Sequence, residues 1–144
     1  MRRDVAHRVR VFAAHWRLLS GAALLQLAAA CSLRIRPLPR VREAGRRVRP
    51  LLEIALPGTE DDVVWALNAT GRRLRGLSTC LVRAIVAEMR LSSSTRPLYL
   101  VIGVKRTPAG ILQSHAWLRD RERVLMGGPM DAGFTPIAEW GSAA

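Results

Sequence analysis

The spacing of apolar residues changes once along the chain, and that change limits the fold more than any other feature. Up to about residue 90 the repeats are those of helices, and from residue 98 the sequence is β-rich. Val5, Val9, Phe12, Trp16 and Leu19 recur at alternating steps of four and three. That spacing predicts a helix over residues 4–30, bent near Ser20 and Gly21, with one apolar stripe. Arg3, His7, Arg10 and Arg17 fall on another face, so the helix packs on a core or partner, or lies on a membrane surface; core packing is the default. Residues 34–50 carry three prolines and read as a connector containing a short helical piece.

Thr59 follows the Pro57-Gly58 break and precedes Glu60, Asp61 and Asp62, so it reads as the cap of a helix running to about Leu74. Consecutive acids point in different directions, which favours stabilisation of the helix start over metal binding. Val63, Val64 and Leu67 turn inward. Ser78 then reads as the cap of a helix over residues 79–90, on which Leu81, Ile85 and Met89 form a buried stripe. "PLYLVIGVKR" predicts a central strand over residues 98–105, and Thr107-Pro108-Ala109-Gly110 a turn. "QSHAWLR" and "RVLMG" predict two strands joined around residues 120–122. Helices first and an antiparallel sheet afterwards make an α+β fold.

A chain of 144 residues, about half of them apolar, suits one compact domain. Within it we separate an Arg-rich helical segment, residues 1–50, from a core over residues 51–144. Twelve arginines against Asp4 and Glu43 give the first fifty residues a net charge of +10 out of the total +12. Such a face can attract nucleic acid, anionic lipid or an acidic protein. No nucleic-acid module is recognisable, and no basic patch is interleaved with aromatics, so a solvated surface is expected and nucleic acid is not. Cys31 and Cys80 form no disulfide framework, and no Cys/His cluster has zinc spacing. No metal or cofactor is expected, and the compartment is read as reducing and cytoplasmic. Residues 18–33 form an uncharged run of 16, short for a membrane span, and Ala28-Ala29-Ala30-Cys31 only loosely resembles a lipoprotein cleavage site.

With Ser78 as cap, Cys80 falls in a first helical turn, where unpaired amides and the helix dipole stabilise a thiolate. A nucleophilic thiol needs a base. His7 and His15 lie in the basic helix, whereas His115 lies in a predicted strand and shares a face with Trp117. If that face packs over the start of the Cys80 helix, imidazole and sulfur meet. A lone cysteine and histidine are more often structural, since cysteine is among the residues most commonly buried.

"CLVRAIVAEMRL", "LVIGVKR", "SHAWLRDRERVLMGG" and "FTPI" together resemble the leader peptidase of lasso-peptide biosynthesis, in the form that stands apart from its leader-recognition domain. That family belongs to the papain-related, transglutaminase-like cysteine proteases, and the likeness runs in order over residues 63–137. It implies a small antiparallel sheet packed on the nucleophile helix, with Cys80 as nucleophile and His115 as base. It also implies a ribosomal precursor peptide as substrate, with Thr preferred at the penultimate leader position. A separate leader-recognition protein and an asparagine-synthetase-like cyclase are the implied partners. The family's third catalytic residue is Asp, usually on the strand beside the histidine strand. Here the position opposite His115 is close to Gly127 or Gly128, which leaves Asp131 in the following loop as the expected third member, with Asp120 in the turn as the other acid. A non-catalytic adaptor of the same fold, and a basic surface-binding protein acting through residues 1–50, are the alternatives.

Overall fold

A computed structural model of the chain describes residues 2–128 and 133–142, with side chains from His15 onward. Among the described residues five α-helices precede a four-stranded antiparallel sheet. The helices are α1 (Arg2–Ile35), α2 (Leu38–Arg47), α3 (Arg49–Ala55), α4 (Glu60–Leu74) and α5 (Cys80–Leu91). The strands are β1 (Tyr99–Arg106), β2 (Leu112–Asp120), β3 (Arg123–Met126) and β4 (Thr135–Gly141), in the spatial order β3-β2-β1-β4. This is the expected α+β arrangement, with β1 central. The segment over residues 34–50, expected as a connector, is almost wholly helical. Its prolines fall where a helix has amides to spare: Pro37 caps α2, while Pro39 and Pro50 sit in the first turns of α2 and α3.

α1 runs without a break. Of the expected stripe, Leu19 is half-buried against the core and Trp16 faces outward, while the side chains of Val5, Val9 and Phe12 lie outside the described ones. Trp16 is 56% exposed, while Leu18, Gly21, Ala22, Gln26, Ala29 and Ala30 are buried. Small residues set this face because neighbouring backbones come close. A Cβ on Gly21 would stand 1.7 Å from the Ala55 carbonyl oxygen, so the end of α3 crosses α1 where only glycine fits. The stretch His15–Ile35 is long and apolar enough to cross a membrane, and a third of it is buried inside the fold. Gln26, in the middle of that stretch, is fully buried. Its amide donates to the Ala22 carbonyl (3.1 Å) and to Thr70 Oγ1 of α4 (2.6 Å), and its oxygen accepts from Ser78 Oγ. One polar side chain thus ties α1 to α4 and to the chain just before Cys80.

α4 begins as the sequence predicts. Thr59 Oγ1 accepts from the Asp62 amide, and Asp62 Oδ2 accepts from the Thr59 amide at 2.8 Å, closing a capping box. The bond from the Thr59 amide, and after it one from the Thr59 hydroxyl to Oδ2 at 2.8 Å, hold the Asp62 carboxyl below its usual range. Glu60 pairs with Arg96 and Arg123, and Arg96 also grips Asp120, so the ion pairs clamp the β2–β3 hairpin to the start of α4.

α5 is the central helix, buried from Ala84 to Met89, with Leu118, Leu125 and Met126 of the sheet in the core it shares. Ile85 and Met89 are buried as expected, but Val82 takes the first inward position and Leu81 is half-buried. Even Glu88 lies inside. Its carboxylate accepts from Arg42 of α2, with Nε–Oε2 at 2.9 Å, and Arg42 also reaches the Gly141 carbonyl of β4 at 3.1 Å. A buried charge survives only when paired, so removing one partner strands the other. Glu88→Ala is expected to cost about 3–5 kcal/mol in denaturant unfolding.

The capping box makes a second, pH-dependent prediction. Because the folded carboxyl of Asp62 is depressed, its contribution is complete above the ordinary aspartate value of 3.8 and is lost as pH falls. Melting midpoints of wild type and Asp62→Ala should therefore converge as the pH is lowered below that value.

Candidate active site

Thr79, rather than the expected Ser78, caps α5. Its hydroxyl accepts from the Val82 amide at 3.3 Å, and this places Cys80 at the first helical position. Ser78 is free to turn inward to Gln26, so two adjacent hydroxyls divide two tasks. Cys80 is half-buried and Cys31 exposed, and both are free thiols.

β2 supplies the other half of the site. Its register with β1 is unbroken, pairing Gly103 with His115, Val101 with Trp117 and Leu100 with Leu118. Alternation therefore sets His115, Trp117 and Arg119 on one face, and Ala116 and Leu118 on the other. Leu118 enters the core shared with α5, and Trp117 does not. The face that packs on the nucleophile helix is thus the opposite of the one expected from the strand pattern.

Cys80 nonetheless arrives beside His115, along the edge of the strand. β3 pairs with β2 only as far as Leu118↔Met126, so the ladder is open on that side at Ala116. Cys80 Sγ fills the opening and accepts the Ala116 amide at 3.4 Å. One residue away, His115 Nε2 lies 2.6 Å from the Gly127 carbonyl oxygen, just beyond the end of β3. Continuing the register from Leu118↔Met126 sets Gly127 opposite Trp117, not opposite His115 as the sequence suggests, yet its backbone oxygen still reaches the imidazole. Among the described residues no hydrogen bond joins the Cys80 and His115 side chains. In an unliganded site such contacts are often long and tighten only around substrate.

Two rings pack beside the half-buried imidazole. Trp117 lies 6.2 Å from it, nearly parallel, and Phe134 lies 5.2 Å from it, with Lys105 Nζ 4.5 Å from the Phe134 centroid. Gly103 makes room for this arrangement. A Cβ there would stand 2.7 Å from Trp117 Cη2 and 3.0 Å from the Thr135 carbonyl oxygen. Neither Phe134 nor Lys105 was recognisable as a site residue, although Phe134 begins the "FTPI" segment. Of the two acids considered for the third position, Asp120 is committed to Arg96 at 2.7 Å. Asp131 lies outside the described residues.

A family model described as the transglutaminase-like superfamily matches residues 8–139. The chain belongs to that superfamily. The match takes in the Arg-rich helical third as well as the sheet. Transglutaminase-like proteins are commonly cysteine peptidases or transferases. Neither curated proteins nor solved structures give a match.

Two measurements probe this geometry. Trp117 is 2% exposed and Trp65 is 40% exposed, so Trp117→Ala should cost about 3–5 kcal/mol while Trp65→Ala costs far less, compared by denaturant unfolding. Alkylation of the native protein, followed by peptide mass mapping, should modify Cys80 faster than the more exposed Cys31. The reverse order would mark Cys80 as an ordinary core thiol.

Proposed function

We propose that this protein is a cysteine peptidase that removes the leader from a ribosomally made lasso-peptide precursor before the macrolactam is closed. The observation that carries the reading is Cys80 Sγ at the first position of α5, bonded at 3.4 Å to the amide next to His115, in a chain of the transglutaminase-like superfamily. The likeness of "CLVRAIVAEMRL" and "SHAWLRDRERVLMGG" to the lasso leader peptidase supplies the substrate class.

In this reading His115 takes the thiol proton and Cys80 attacks the carbonyl carbon at the leader–core junction. The tetrahedral intermediate collapses as the C–N bond breaks, and His115 gives its proton to the departing core amine. The leader is left as a thioester on Cys80. Water, deprotonated by His115, then hydrolyses that thioester and releases the leader carboxylate, and the proton returns to the sulfur. Of the first-turn amides, that of Val82 is bound by Thr79, which leaves those of Cys80 and Leu81 for the developing oxyanion. A separate leader-recognition protein would present the precursor, and a cyclase would use the freed amine, both in the cytoplasm.

The test is cleavage of the precursor in the presence of its leader-recognition protein, followed by mass spectrometry. Cys80→Ala should abolish cleavage, and His115→Ala should slow it by about 10²–10⁴. Cleavage at the wild-type rate by both variants would overturn the assignment of these residues, whereas a wild-type protein that binds the precursor and leaves it uncut would be a non-catalytic adaptor.

A further inference from the structure

We propose that the Gly127 carbonyl, in place of a carboxylate, is the group that orients His115, so that the site works as a cysteine–histidine pair with an uncharged positioning partner. The consequence for turnover rests on the peptidase reading above, whereas the state of the imidazole does not.

A carbonyl oxygen only accepts, so the 2.6 Å contact requires the proton of neutral His115 to be on Nε2. Neutral imidazole has a single N–H. Nδ1 is therefore left bare, and it is the nitrogen available to take the thiol proton. Fixing this tautomer is the main service an orienting acid performs in a catalytic triad. The Gly127 backbone performs it here because of where β3 stops. Met126 is the last paired residue, and Gly127 leaves the ladder at φ +89°, a conformation that side-chain-bearing residues rarely adopt. The turn lies tight against β2. A Cβ on Gly127 would stand 2.6 Å from the Ala116 carbonyl oxygen and 2.9 Å from Trp117 Cβ. The rings of Phe134 and Trp117, 5.2 and 6.2 Å from the imidazole, pack beside it and help to hold the plane that the carbonyl sets. A neutral acceptor stabilises imidazolium less than a carboxylate does, since bonds to an ionised partner are roughly twice as strong. The pair therefore gains its order from tautomer and orientation, with less help for the charged form.

The experiment is nitrogen-15 NMR of the imidazole in the full-length protein, with the His115 signals assigned by their loss in His115→Gln, alongside precursor cleavage. The expected result is the Nε2–H tautomer in wild type and in Asp131→Asn, with cleavage by Asp131→Asn within about threefold of wild type. Gly127→Ala should lose the tautomer preference and at least tenfold in kcat, with KM little changed, because base catalysis is worth about 10²–10⁴. A wild-type Nδ1–H tautomer, or Asp131→Asn falling to the level of His115→Ala, would overturn the proposal. If Gly127→Ala does not fold, the wild-type tautomer and the Asp131→Asn rate still decide it. If wild type does not cleave at all, the peptidase reading fails and the tautomer alone judges the role of Gly127.

Discussion

Backbone groups at a sheet edge must find partners, and in this molecule the partners they find form the candidate site. β3 is four residues long and stops at Met126, well short of the length of β2. Ala116 is left with an amide pointing out of the ladder, and the sulfur at the start of α5 accepts it. Gly127, turning away, is left with a carbonyl, and the His115 ring meets it. A longer β3 would satisfy the Ala116 amide within the sheet and displace the sulfur. The juxtaposition of thiol and imidazole therefore follows from a strand that ends early.

Holding α5 in register with that gap is the task of the rest of the fold. The Arg42–Glu88 pair fixes the far half of the helix to α2 and β4, and the Gln26–Ser78 bond fixes the chain just ahead of Cys80 to α1. Between these ties the helix is buried along most of its length, so any shift would be felt across the core. The Arg-rich N-terminal third is in this sense structural. Arg42 is spent inside, and α1 presents its small residues inward.

Much of the architecture was legible in the sequence, and the misses have physical causes. The α4 cap could be read because Thr59 and Asp62 form a local motif that needs no tertiary context. α2 and α3 were hidden because proline reads as a breaker unless it falls in a first turn, and nothing in the residues 34–50 marks where the turns begin. Large side chains defined the expected stripe on α1, whereas close approach selected Gly21, Ala22 and Ala29. β4 escaped notice because it is mostly exposed and carries Pro136 beside a register shift, both features of an edge strand. Cys80 and His115 were identifiable by residue type and position. The Gly127 carbonyl was not, since a backbone atom leaves no signature in a list of side chains.

The burial of Gln26 limits what α1 can become. By hydropathy alone the segment could trade protein for lipid. Inside hydrocarbon, however, its amide would surrender the hydroxyls of Thr70 and Ser78 and keep only its own helix to bond with. Withdrawing α1 would also free the chain leading into Cys80. One carboxamide thus couples the question of whether this helix is embedded in a bilayer to the question of whether the thiol is in place, and a single copy of the chain cannot satisfy both.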